Sequence, residues 1–159
     1  RHLPYSVQVE SYSAFADALE RQRELGSLDA LVFIAPAAVD NVVYYHVFAG
    51  LQAEPDSAHG LLRRLVQRGV KDSVRVSDVR TLPWAFDAGL FADRERAERR
   101  RRELVELGIP GYIVEVPTTA GIGFRLYVGG YENATEAQVM AATLERNGIR
   151  VPLVPRIGS

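Results

Sequence analysis

The chain has 159 residues, a formal net charge of −1, 47% hydrophobic and 25% charged residues, and no cysteine. That balance is typical of globular proteins, and the near-zero charge excludes nucleic-acid or anionic-membrane binding driven by bulk charge. Without cysteine there are no disulfides, thiolate zinc sites or cysteine nucleophiles.

The chain opens Arg1-His2-Leu3-Pro4, without an initiator Met or a signal peptide, and reads as a piece of a longer protein. Tyr5 to Tyr12 alternates, with Tyr5, Val7 and Val9 on one face and Ser6, Gln8 and Glu10 on the other, as a half-buried strand does. Ser13 is placed to cap a helix carrying Phe15, Ala18, Leu19, Gln22 and Leu25, with Gly26 as its stop. Leu31–Ala35 is a short apolar strand ended by Pro36. Asp40-Asn41 signals a turn, and Val42–Phe48 is a β-branched and aromatic strand. Ala58, Leu61, Leu62, Leu65 and Val66 mark an amphipathic helix closed by Gly69. Val74–Val79 supplies a last strand. The order is β-α-β-β-α-β.

The same order then repeats, beginning 79 residues later with Trp84 in the place of Tyr5. Strands are expected at Trp84–Leu90, Tyr112–Val116, Phe124–Val128 and Val151–Val154, and helices at Asp93–Leu107 and Thr135–Asn147. Gly108 and Gly148 stop the helices. An internal repeat fixes the architecture: an α+β chain of two ferredoxin-like units, residues 1–79 and 84–159, joined by a short junction at 80–83. Each unit is a four-stranded antiparallel sheet with two helices on one face. The other sheet face is then free, a platform for binding.

The segments Tyr5-Ser6-Val7-Gln8-Val9 and Phe124-Arg125-Leu126-Tyr127-Val128-Gly129-Gly130-Tyr131, the latter followed by Glu136-Ala137, resemble the sporulation-related repeat, or SPOR domain, in two tandem copies. The resemblance implies a non-catalytic module that binds peptidoglycan, especially glycan strands stripped of stem peptides, in the bacterial cell envelope. It implies no cofactor. Partners would be glycan strands and other envelope proteins. The first copy keeps Gln8 and Ser11 but carries Tyr45 where the second has Arg125. The second keeps Arg125 but has Asp87 for Gln8 and Leu90 for Ser11.

The candidate glycan contacts are therefore Gln8, Ser11 and Tyr45 in one copy and Asp87, Arg125 and Tyr127 in the other. Aromatic rings pack on pyranose faces, while amide, carboxylate and guanidinium groups hydrogen-bond hydroxyl and acetamido groups. On the outward face Ser6, Gln8, Glu10, Tyr45 and Val47 are expected, and Ala85, Asp87, Arg125 and Tyr127. Tyr5 and Trp84 read as core. The Arg94–Glu103 run spreads round a helix, with Glu95–Arg99 and Glu98–Arg102 in favourable i,i+4 order, and reads as a solvated face. His2, His46 and His59 lack metal-ligand spacing, with His46 aligned to Leu126. The glycine pairs are turns rather than phosphate cradles. No nucleophile–base constellation or paired catalytic carboxylates are legible. The alternative is a protein-interaction or structural module that has lost glycan binding. An RNA-recognition fold shares the element order, but its basic–aromatic motif is missing, so no nucleic-acid partner is expected. No apolar run approaches the roughly 20 residues that span a bilayer, so no direct membrane contact is expected either.

Overall fold

The computed structural model describes residues 1–158. The first unit comprises β1 (Tyr5–Tyr12), α1 (Phe15–Glu24), β2 (Val32–Val39), β3 (Val42–Gln52), α2 (Pro55–Gln67) and β4 (Val79–Thr81). The second comprises β5 (Trp84–Phe91), α3 (Arg94–Glu106), β6 (Gly111–Thr118), β7 (Gly121–Tyr131), α4 (Gln138–Arg146) and β8 (Leu153–Pro155). Each sheet is four-stranded, ordered β2-β3-β1-β4 and β6-β7-β5-β8, and every pairing is antiparallel. The α+β architecture of two ferredoxin-like units is therefore present.

Apolar alternation assigns the faces. Val7, Val9, Ile34 and Val47 share one core with Ala18, Leu61, Leu62 and Leu65 of the helices. The opposite face of the first sheet contributes Phe33, Ala35, Ala37 and Phe48 to a second core built mainly by the second unit. That face was expected to be free and is instead partly covered. Phe33 stacks on Tyr112 with centroids 4.6 Å apart, and the buried Tyr131 hydroxyl donates to Pro36 O at 2.8 Å. A unit of this size gains by burying apolar surface against a neighbour.

Several boundaries depart from expectation, each for a local reason. Pro36 does not end β2, because β2 is an edge strand and a proline there need not donate to the ladder. The residue before α1 is Ala14, with no side-chain cap, so Ser13 is not the cap. Val74 and Val76 are exposed; residues 76–78 form a 3-10 turn, and the last strand comes later, pairing Val79, Arg80 and Thr81 with Val7, Ser6 and Tyr5. Arg80 and Thr81 are thus strand rather than junction. Trp84, the first residue of β5, is 36% exposed instead of core. In α3, Glu98 pairs with Arg101 at 2.8 Å rather than with Arg102, while Glu95 meets Arg99 at 3.7 Å as expected.

Both central strand pairs carry the same two irregularities. Gly50 and Gly129, at φ of 80° and 75°, sit where β3 and β7 each shift register against their partners. Only glycine takes that left-handed backbone without strain. A second bulge lies between Gln8 and Glu10 in β1 and between Asp87 and Leu90 in β5. A bulge turns the next side chain to the other face. In β1 this carries Glu10 to the helix side, where Arg21 Nε donates to its carboxylate at 2.9 Å. Lys71 Nζ holds the bulge by donating to Gln8 O at 2.8 Å and Val9 O at 3.3 Å.

Candidate functional site

The bulges decide which side chains share the helix-free faces. In the first unit Gln8 lies opposite Phe48, and Ser11 opposite His46. Glu10, Tyr45 and Val47 were expected on this face and lie instead on the helix side. Tyr45 packs its ring against Phe15, with centroids 5.3 Å apart. The slip is one residue: counting from the paired strands, Arg125 corresponds to His46, not Tyr45, and Leu126 to Val47.

What gathers around Gln8 is a connected polar set. Arg80 Nη1 donates to Gln8 Oε1 at 2.8 Å. Gln8 Nε2 donates to Ser11 Oγ at 3.0 Å, and Ser11 Oγ lies 2.5 Å from His46 Nδ1. Burial, and then the nearby Arg80 charge, hold the His46 imidazole below its ordinary range. Arg80 also reaches the second unit, 3.7 Å from Glu136. Partial burial pushes the Glu136 carboxyl up despite that arginine. Sequence reasoning missed His46 and Arg80. His46 was misaligned by a one-residue slip, although the 79-residue offset that pairs Tyr5 with Trp84 pairs it with Arg125, and Arg80 lay in an expected junction.

In the second unit Asp87 and Arg125 meet on the helix-free face. Arg125 Nη1 donates to Asp87 Oδ2 at 2.9 Å, and both side chains are about one-fifth exposed, at 22% and 23%. The Gly89 N–H donates to Asp87 Oδ1 at 3.0 Å, closing the bulge. Leu90, opposite Arg125, is exposed. Tyr127, expected outward beside them, does share this face but is buried. Its hydroxyl donates to Ile157 O at 3.3 Å and accepts from Ile157 N–H at 3.1 Å.

A strap made by residues 1–3 and 156–158 covers that tyrosine. His2 bridges Ile157, Leu3 N–H donates to Arg156 O at 3.0 Å and Gly158 N–H to Arg1 O at 3.0 Å. Beneath it Arg156 is 1% exposed. Its Nη2 donates to Pro4 O at 3.1 Å and Ser6 Oγ at 3.2 Å, and its guanidinium lies 5.1 Å from the Phe33 ring centre. The open part of the second face is thus the end bearing Asp87, Arg125 and Leu90.

Comparison with known families bears on this unit. Residues 83–152 match the family model of the SPOR domain. The match takes in β5 to α4 and leaves the first unit outside it, so no tandem pair of SPOR domains is established. The SPOR family is associated with peptidoglycan binding and is generally non-catalytic. No curated protein and no solved structure matches the chain. No helix among the described residues is long and apolar enough to cross a membrane.

Proposed function

We propose that this chain is a non-catalytic module of a bacterial cell-envelope protein that binds denuded peptidoglycan glycan strands, with the SPOR domain supplying the principal contact. The observation that carries this reading is the coincidence of the family match at residues 83–152 with an open sheet end bearing Asp87, Arg125 and Leu90. A glycan strand is recognised by directional donors and acceptors beside apolar surface. The Asp87–Arg125 pair offers both roles, and Leu90 offers the apolar contact. In the first unit Gln8 and Ser11 supply a second patch. Tyr45 and Tyr127 drop out of the contact set, one for its face and the other for its cover.

The test is co-sedimentation with purified sacculi, with and without amidase treatment to strip stem peptides. Pelleting should increase after treatment and fall in Arg125→Ala. Failure to pellet with either preparation would remove the glycan reading. A second reading concerns the first unit alone: burial of Phe33, Ala35, Ala37 and Phe48 against its neighbour favours a supporting role. It would hold if Gln8→Ala left pelleting unchanged.

A further inference from the structure

We propose that the seam between the units holds a second ligand site, in which His46 Nε2–H and Arg80 donate to an acetamido carbonyl or sugar hydroxyl and Glu136 accepts from it. The site lies mostly outside the SPOR match and rests on the glycan reading for the class of its ligand.

The hydrogen-bond chain sets the direction of every proton. The Arg80 guanidinium only donates, so Gln8 Oε1 is the acceptor and Gln8 Nε2 is turned toward Ser11. His46 Nδ1 faces both the Ser11 hydroxyl at 2.5 Å and the Gln8 amide nitrogen at 3.4 Å; the amide nitrogen can only donate, so Nδ1 is the acceptor and Ser11 gives it its proton. A neutral imidazole that accepts at Nδ1 carries its proton on Nε2. The half-buried setting and the adjacent arginine favour this neutral form.

Among the described residues Nε2 has no hydrogen-bond partner, and it is not one of the buried polar atoms without a partner there, which are Asp78 Oδ2, Arg156 Nε and Arg156 Nη1, so Nε2 opens to solvent. The relay from Arg80 through Gln8 and Ser11 thus ends in one fixed, outward donor. Arg80 lies 6.0 Å from the Phe48 ring centre and approaches Glu136 only at 3.7 Å, too long for a hydrogen bond. A carboxylate and a guanidinium held apart in this way leave acceptor and donor capacity for a bound group. The site is distinct from the Asp87–Arg125 end: Arg125 and Tyr131 are six residues apart along β7, roughly 20 Å in an extended strand, and Glu136 follows Tyr131.

The experiment uses the whole chain with two probes, tri-N-acetylchitotriose followed by NMR and amidase-treated sacculi followed by co-sedimentation. His46→Phe removes the donor and should weaken binding about 3–10-fold, the worth of one net hydrogen bond. His46→Gln places an amide donor near Nε2 and should restore most of it. The His46 Nε2–H resonance should shift on titration with the trisaccharide. If His46→Phe leaves sacculus binding unchanged while Arg125→Ala reduces it, the seam site is overturned and the glycan reading survives. If neither probe binds wild type, both fall. Thermal melts of each variant show whether a loss comes from unfolding.

Discussion

His46 stands in the first sheet where Arg125 stands in the second: each lies opposite a residue just past the shared bulge, Ser11 in one strand and Leu90 in the other. Around these two positions the units diverge in chemistry while keeping their backbone. Arg125 pairs directly with Asp87. Among the described residues His46 has no carboxylate partner and is held by a hydroxyl and an amide. One fold thus presents two differently wired polar patches, and only the patch with the ion pair lies within the family match.

The first expected outcome tests the assignment of faces. Leu65 and Leu144 are 2% and 3% exposed, at the centres of the α2 and α4 stripes. Leu65→Ala and Leu144→Ala should each cost roughly 2–5 kcal/mol through lost transfer energy and a residual cavity. Urea titrations measure this. Losses below about 0.5 kcal/mol would show that the stripes do not carry the cores.

The element order was legible because strand alternation and helix stripes are local signals. Gly69, Gly108 and Gly148, all with positive φ, follow α2, α3 and α4 as expected. The site was less legible because a bulge is a property of two strands. Nothing in Gln8-Val9-Glu10 alone says that Val9 will be the extra residue. That one residue moved Glu10 to the helix side, and a one-residue slip in aligning the two halves put Tyr45 where His46 belongs. The covered face was also invisible: Phe33 and Tyr112 stack across 79 positions of sequence, and no periodicity reports such a contact. The strap over Tyr127 joins opposite ends of the chain and leaves no local trace.

The contact between units is open to a one-atom test. Tyr131 is fully buried and donates to Pro36 O across the interface. Tyr131→Phe keeps the ring and removes the donor, leaving that carbonyl without its partner. The expected cost is about 1–3 kcal/mol. If denaturation shows no loss, the interface is wet or mobile at this point.

The seam should also register in the pH dependence of stability, through two groups of opposite sign. His46 has a folded pKa below its ordinary 6.5. Between those values the unfolded chain binds the extra proton, so its contribution is present above about pH 6.5 and is lost as pH falls toward the folded value. Glu136 has a folded pKa above 4.5. Its protonated form is favoured in the fold, so its contribution is present below about pH 4.5 and is lost as pH rises through the folded value. The slopes oppose each other in mildly acidic solution. Glu136→Gln should therefore steepen the loss of stability on acidification from pH 7 to 5, and His46→Gln should flatten it. Urea midpoints at the two pH values read both effects. Parallel profiles for all three proteins would mean that neither group is perturbed.

The last expectation separates sugar recognition from charge attraction. Arg125 lies in a 2.9 Å pair with Asp87 rather than as a free cation, and the chain as a whole carries −1. Binding through such a pair relies on directional hydrogen bonds. Phosphate recognition instead releases counterions and weakens steeply with salt. Sacculus binding should hence change little, less than about threefold, between 50 and 200 mM salt, whereas neutralising several phosphates would cost orders of magnitude over that range. Gln8→Ala and Arg125→Ala, each at a partly exposed position, should weaken pelleting with little change in melting temperature. The double variant should lose more than either single one if both patches engage one polymer, because tethered sites raise each other's effective concentration. A steep salt dependence would instead point to charge attraction, either to anionic wall polymers or to the lactyl carboxylates that amidase leaves on the glycan. A double variant no worse than Arg125→Ala would assign all binding to the second unit and leave the first unit as its support.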